Sequence, residues 1–247
     1  MVQYSDIKVG NSYLLMQAAI IQLIHVSKAY RTAGVEQTVL HDINLTINHG
    51  DFVAIVGASG NGKSTLLNLL TGIDQPSSGE VIVNGHALQK LSQEKLSAWR
   101  CANIGIVFQF FQLLPALNLW QNIVLPMDFL GKLTKRQRKE RALHLLEQVG
   151  LANEADRLPS QVSGGQQQRA AIARALANDP ELIVADEPTG NLDESTAESV
   201  FQLFTHLRDQ GKTLVLVTHN DAFANSASRK IEIHAGRIQF PEPVASN

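Results

Sequence analysis

The feature that most restricts what this chain can become is Gly57-Ala58-Ser59-Gly60-Asn61-Gly62-Lys63-Ser64, which follows the apolar run 51–56 and precedes a helix-spaced run over 63–70. A short buried strand therefore feeds a glycine-rich turn that opens a helix. Glycines at 57, 60 and 62 let backbone N–H groups converge on an anion, and the helix directs the positive end of its dipole to the same place. Lys63 adds a point charge for β- and γ-phosphates, and Ser64 adds a hydroxyl suited to Mg²⁺. Far downstream, Val162-Ser163-Gly164-Gly165-Gln166 forms a second glycine-rich turn at a helix start. Ser163 and two glycines there make another anion pocket of amides and a hydroxyl. A single nucleotide site needs only one such turn, so two of them imply a site shared between two copies.

The segment 182–185 is an apolar strand that ends in the paired carboxylates Asp186 and Glu187. It delivers two acids to the edge of the phosphate site. Asp186 is suited to the hydration shell of Mg²⁺, and Glu187 to orienting and polarising an attacking water. Adjacent residues on an extended strand project to opposite sides, which gives the two acids separate tasks.

The remaining chain alternates between strand and helix texture. Strands are expected at 18–24, 39–47, 80–83, 104–108 and 213–217, with a tight turn at Asn84-Gly85 and a terminal hairpin over 230–240 turning at Ala235-Gly236. Helices are expected at 166–176 and 195–208, and a helical insert between 91 and 150 is broken by Pro115 and Pro126. Such alternation implies a parallel sheet with helices on its faces. Residues 1–17 form an N-terminal extension without a motif, 18–240 the main domain with its helical part at about 110–170, and 241–247 a tail.

Composition narrows the function further. With 247 residues, 44% of them hydrophobic, the chain can bury a core, and its formal charge of −2 supplies no overall positive field for nucleic acid. The lone Cys101 cannot form an internal disulfide, and no Cys/His spacing suits zinc. The longest apolar stretch, 14–24, is interrupted by Gln17 and Gln22 and falls short of the ~20 residues of a membrane helix. A place at the cytoplasmic face of the inner membrane, through a partner, follows from the reading below.

These motifs, in this order, resemble the nucleotide-binding subunit of an ATP-binding cassette transporter over about residues 20–237, with Val162 where leucine is usual. The resemblance implies an ABC ATPase fold: a P-loop core with a mostly parallel sheet, an antiparallel β subdomain and a helical insert. It implies ATP and Mg²⁺ as ligands, with Thr65 joining the phosphate loop and Tyr30 stacking on adenine. It assigns Gln109, in Val107-Phe108-Gln109, to sensing Mg²⁺ and the attacking water. Asp193, in Gly190-Asn191-Leu192-Asp193, lies in the loop that crosses to the other subunit, and His219 is the switch histidine at the γ-phosphate. Lys63, Gln109, Glu187 and His219 are then the catalytic set, and Ser64, Gln109 and Asp186 the metal set. His25, His41, His49 and His86 have no such setting and read as structural or surface residues.

The same resemblance implies a head-to-tail homodimer that drives separate membrane permeases. The segment Phe110-Phe111-Gln112-Leu113-Leu114-Pro115 reads either as the edge of a groove for a permease helix or as core of the insert. Val107-Phe108-Gln109 followed by Phe111, Leu113-Leu114-Pro115 and then Trp120, Asn122 and Pro126 is similar to the branch of lipoprotein-releasing, macrolide-exporting and cell-division ATPases, whose permeases transmit motion to periplasmic partners; Asn61 and Phe110 stand where small serine-like residues are common in that branch. An ATPase that moves a membrane-bound signalling or cell-wall regulatory complex fits the same residues. Chromosome-organising ATPases need a long coiled coil, and translation factors carry two cassettes; this chain shows neither.

Overall fold

The computed structural model describes residues 19–32 and 34–239. The expected extension at 1–17 and tail at 241–247 lie outside the described residues, as do Ala18 and Phe240 at the ends of two expected strands.

Two sheets organise the molecule. Strands β1 (Ala19–Thr32), β2 (Val35–Asn48), β4 (Ser78–Val83) and β5 (His86–Ala87) form an antiparallel sheet in the order β2-β1-β4-β5. Strands β3 (Phe52–Val56), β6 (Ile104–Val107), β7 (Leu182–Asp186), β8 (Thr213–Val217), β9 (Arg229–His234) and β10 (Arg237–Gln239) form a second sheet in the order β10-β9-β3-β8-β7-β6. Its ladder is parallel except where β10 pairs antiparallel with β9. This is the mixed α/β fold expected.

Strands β3, β7 and β8 read as continuous apolar runs because both of their faces are covered. Alternate side chains go to two cores: Val53, Ile55, Val184, Val215 and Val217 pack with the antiparallel sheet, while Phe52, Ile183, Leu214 and Leu216 pack with helices. The first core also takes Leu66, Leu69 and Leu70 of α1 (Lys63–Leu70) and Leu96 and Trp99 of α2 (Gln93–Asn103). The second takes the inner faces of α3 (Leu119–Leu130), α4 (Lys135–Gln148), α5 (Gly164–Ala175), α6 (Glu194–Asp209) and α7 (Asp221–Ser226).

β2 begins at Val35, four residues before the expected bound at 39, and two further expectations change. β1 continues eight residues past the expected end at Ile24, to Thr32, because a bulge at His25 (φ 50°) opposite Asp42 (φ 51°) shifts the register and breaks the alternation. Pro126 does not break its helix, since α3 runs through it. Its carbonyl accepts bonds from Asn178 Nδ2 at 3.0 Å and Cys101 Sγ at 3.1 Å, which anchor the helix where the proline interrupts the ladder. Pro115 does lie in a loop, and the fully buried Asn122 organises that loop by donating to the carbonyls of Leu114 and Leu117 and accepting from Leu114 N–H.

Phe204 on α6 is fully buried and meets Phe223 edge to face, whereas Phe129 on α3 is 83% exposed. Phe204→Ala should therefore lower the unfolding free energy by about 3–5 kcal/mol in urea titrations, and Phe129→Ala by no more than about 0.5 kcal/mol.

Candidate nucleotide site

The phosphate loop occupies the turn from β3 into α1. Gly57 (φ 145°) lies against β9 so tightly that a Cβ there would come within 2.2 Å of the Ile233 carbonyl oxygen. Asn61 Nδ2 donates to that same oxygen at 3.0 Å, which fastens the far side of the loop to β9. Gly62 (φ 96°) caps α1 and has no room for a side chain beside Leu40 and Val39. The buried Lys63 turns back into the loop and donates to the carbonyls of Gly57 at 2.7 Å and Ala58 at 3.0 Å. An ammonium carries three donors, so one remains for an anion in the loop.

A cavity of about 310 Å³ opens beside the loop, lined by Ser59, Gly60, Gly62, Lys63, Ser64, Thr65, Gln109, Asp186 and Glu187, with Val39 on its edge. β7 ends at Asp186, and Glu187 takes a left-handed conformation (φ 45°) with its N–H on the Val217 carbonyl at 2.9 Å. The expectation that the two acids project to opposite sides assumed an extended strand through both, whereas the strand ends at Asp186; both residues line this cavity. Glu187 Oε1 accepts from His219 Nε2 at 2.9 Å. His219 itself lines an adjoining cavity of about 200 Å³ with Gly57 and Ala58, so the pair bridges the two sides of the loop. Gly190 permits this packing: a Cβ there would lie 3.1 Å from Gln109 Nε2 and 3.3 Å from Glu187 Oε2.

The electrostatics single out Asp186. Burial pushes its carboxyl above the usual carboxylate range and the Glu187 charge adds to that, against the Ser64 hydroxyl and Lys63, which stabilise the anion. The oxygen-bearing side chains around the cavity belong to Ser59, Ser64, Thr65, Gln109, Asp186 and Glu187, all hard ligands of the kind Mg²⁺ accepts. Among the described residues no cluster of three His, Cys, Asp or Glu side chains forms a complete metal cage.

Other expected residues lie outside this cavity. Ser163 caps α5 in a capping box: its Oγ accepts from Gln166 N–H at 3.3 Å and its own N–H donates to Gln166 Oε1 at 2.9 Å. Ser163 and Gly164 are exposed, while Gly165 is buried where a Cβ would strike Thr196 Cγ2 at 2.1 Å. None of 163–166 lines the phosphate cavity. Asp193 caps α6, accepting from Thr196 N–H at 3.0 Å and from the Thr196 and Ser195 hydroxyls at 2.7 Å each. These bonds hold its carboxyl well below the usual range. Tyr30 is 39% exposed; its hydroxyl donates to Asp74 Oδ2 at 2.8 Å, and Lys28 Nζ lies 4.8 Å from its ring centroid. Burial and the Asp74 bond raise its phenol pKa, opposed by a hydrogen bond with Thr65, a residue that does line the cavity.

The segment 110–115 divides between its two expected uses. Leu113 packs on the helical core, whereas Phe110 and Leu114 are 68% and 49% exposed. A groove of about 690 Å³ alongside is lined by Cys101, Phe108, Gln112, Pro126, Phe129 and Arg174, among others. Burial pushes the Cys101 thiol up, opposed by a bond from Asn178. The histidines set aside, such as His25 on Asp42 and His86 on the Asn84 carbonyl, take structural or surface positions. Sequence reasoning missed Arg174 and the bond from Asn191 Nδ2 to the Gln109 carbonyl at 3.2 Å. Asn191 sits inside the quoted Gly190-Asp193 motif and was open to notice; Arg174 falls in an ordinary helical run.

Residues 40–190 match the family described as ABC transporter, and the chain belongs to that family. It is 41% identical over 227 residues to the lipoprotein-releasing system ATP-binding protein LolD 1 of Chlorobium chlorochromatii, covering 91% of this chain and 92% of that one. It is 44% identical over 224 residues to the macrolide export ATP-binding/permease protein MacB 2 of Aeromonas hydrophila, covering 91% of this chain but 34% of that one. Among solved structures it superposes with TM-score 0.84 and 40% identity on the ATP-binding cassette MJ0796, a dimer in a post-hydrolysis state bound to ADP and Pi, covering 92% of this chain and all of that one. The chain is an ATP-hydrolysing ABC cassette of the LolD and MacB type.

An ionised Asp186 is costly in the folded chain. Its carboxyl pKa is raised on folding, so between the unfolded and folded values the folded state holds the extra proton, and stability falls as pH rises through that window. Asp186→Asn should raise the thermal midpoint of the nucleotide-free chain at pH 7, and that gain should vanish below about pH 4; calorimetry at both pH values checks it.

Proposed function

We propose that two copies of this chain close head to tail around ATP, each gripping phosphate with its own 57–64 loop and offering its 163–166 turn to the nucleotide held by its mate. The observation that carries this reading is the separation of the two turns: the loop shares a cavity with Gln109, Asp186 and Glu187, and Ser163 stands exposed elsewhere at the start of α5. The first amides of a helix have no intrahelical acceptor, so that exposed end is ready for an anion supplied by another molecule. The dimer seen for MJ0796 with ADP and Pi supports the same reading.

In this reading each side chain has a distinct task. Lys63 spends its third donor on the β- and γ-phosphates, and Ser64, Asp186 and Gln109 hold Mg²⁺. When bound, that ion neutralises charge on the phosphates during transfer. Glu187 takes the proton of the attacking water, oriented by the bond from His219, and the same histidine would contact the γ-phosphate. Tyr30 offers a ring to adenine, Thr65 and Asn61 shape the loop, and Asp193 holds the start of α6 at the interface. Contacts from both copies converge on the γ-phosphate, so binding favours closure and hydrolysis releases it.

The load is a separate membrane permease, which places the chain at the cytoplasmic face of the inner membrane. Among the described residues no helix is long and apolar enough to cross a membrane. The apolar groove beside Phe129 and Gln112 suits a short helix from such a partner. The LolD and MacB relatives favour a permease of the lipoprotein-release or export type, and a periplasmic partner belongs to the same proposal without support from those names.

Glu187→Gln should bind ATP within about threefold of the parent yet hydrolyse it at least ~100-fold more slowly. Equilibrium nucleotide titration and single-turnover hydrolysis check both halves, and hydrolysis at the parental rate would remove Glu187 from the catalytic role.

A further inference from the structure

Arg174 lies near the end of α5, partly buried, and among the described residues no carboxylate pairs with it. Its guanidinium instead donates to two backbone carbonyls of the strap that follows Gln109: NH2 to Phe111 at 2.8 Å and NH1 to Gln112. Both of those residues have φ 53°, a left-handed conformation that non-glycine residues rarely adopt. Two consecutive left-handed residues turn their carbonyls to one side and so make an acceptor pair for a planar fork. The strained strap and the carboxylate-free cation thus require each other: the guanidinium over-determines the backbone, and the carbonyls replace the water it has lost. Burial also draws the Arg174 pKa below its usual value.

The strap is tied at two more points. Asn191 holds the Gln109 carbonyl, and a Cβ at Gly164 would meet the Phe111 ring at 3.6 Å, so that ring lies beside the first turn of α5. Arg174 and Gln112 also form part of the wall of the groove that contains Phe129.

We propose that Arg174 is a positioning residue that fastens residues 110–112 to α5. The strap and α5 then move as one body, so that the positions of Gln109 and of the turn at Ser163 are joined through Arg174. The inference rests on the shared-site reading for its consequence and on the geometry alone for the clamp. A lysine keeps the charge but cannot fork two carbonyls, so Arg174→Lys and Arg174→Gln should behave alike.

Hydrogen–deuterium exchange on the full nucleotide-free chain reads the clamp directly. In both variants amides of residues 110–114 should exchange on the order of tenfold faster, with α1 unchanged. With Mg-ATP as the probe, kcat should fall about 10- to 100-fold while nucleotide Kd stays within about twofold. Unchanged exchange at 110–114, parental behaviour of Arg174→Lys, or loss of protection in α1 together with weaker nucleotide binding overturns the proposal. A parent chain whose hydrolysis rate per chain does not fall on dilution to the lowest measurable concentration defeats the shared-site reading instead, and the exchange result still decides whether the clamp exists.

Discussion

The structure depends on one spatial constraint: its two glycine-rich turns begin different helices and do not meet. The loop at the start of α1 is built into the sheet, pressed on Ile233 and braced from inside by Lys63. The turn at the start of α5 is braced against α6 through Gly165 and Thr196. Each helix start favours an anion, yet none of residues 163–166 lines the first cavity. In the proposed dimer a second copy resolves the mismatch, and communication between copies would pass through whatever connects the two turns within one chain.

That connection runs along strained and costly places. Glu187 leaves β7 in a left-handed conformation, and Phe111 and Gln112 share one on the strap. Asp186 is partly deprived of water beside a second carboxylate, and Arg174 is paired only with carbonyls. Each feature lowers the stability of the isolated fold and is tolerated because the two hydrophobic cores on either face of the parallel sheet are large. Gly190 shows how closely the parts are set, since a methyl group there would crowd both Gln109 and Glu187. In the proposed reading, the strained residues Glu187, Phe111 and Gln112 lie between the groove and the cavity, where a partner contact and a phosphate would influence the same region.

Much of this was legible from residue order. The strand, loop and helix at 52–70 could be read because glycine spacing, apolar run and helical period agree there, and α1 and β8 have the bounds expected. Elements whose local signal was interrupted were read less well. The bulge at His25 inverts the alternation that marks a strand, and Pro126 carries a breaker signal that packing on α3 and the Asn178 bond override. The side on which Glu187 lies depends on where β7 stops, a fact set by the Val217 carbonyl and not by any neighbour in sequence. Arg174 was invisible for a similar reason: its partners are carbonyls more than sixty residues away in sequence.

The shared site is tested most directly by chemical cross-linking between chains. One variant carries Ser59→Cys in the phosphate loop and another Gly164→Cys in the α5 turn, both with Cys101→Ser and Glu187→Gln so that bound ATP persists. Mixed and oxidised, they should form a disulfide heterodimer only when Mg-ATP is present, and a chain carrying both cysteines should link between copies at dilution instead of closing on itself. An intramolecular link, or no nucleotide-dependent link at all, would contradict the account.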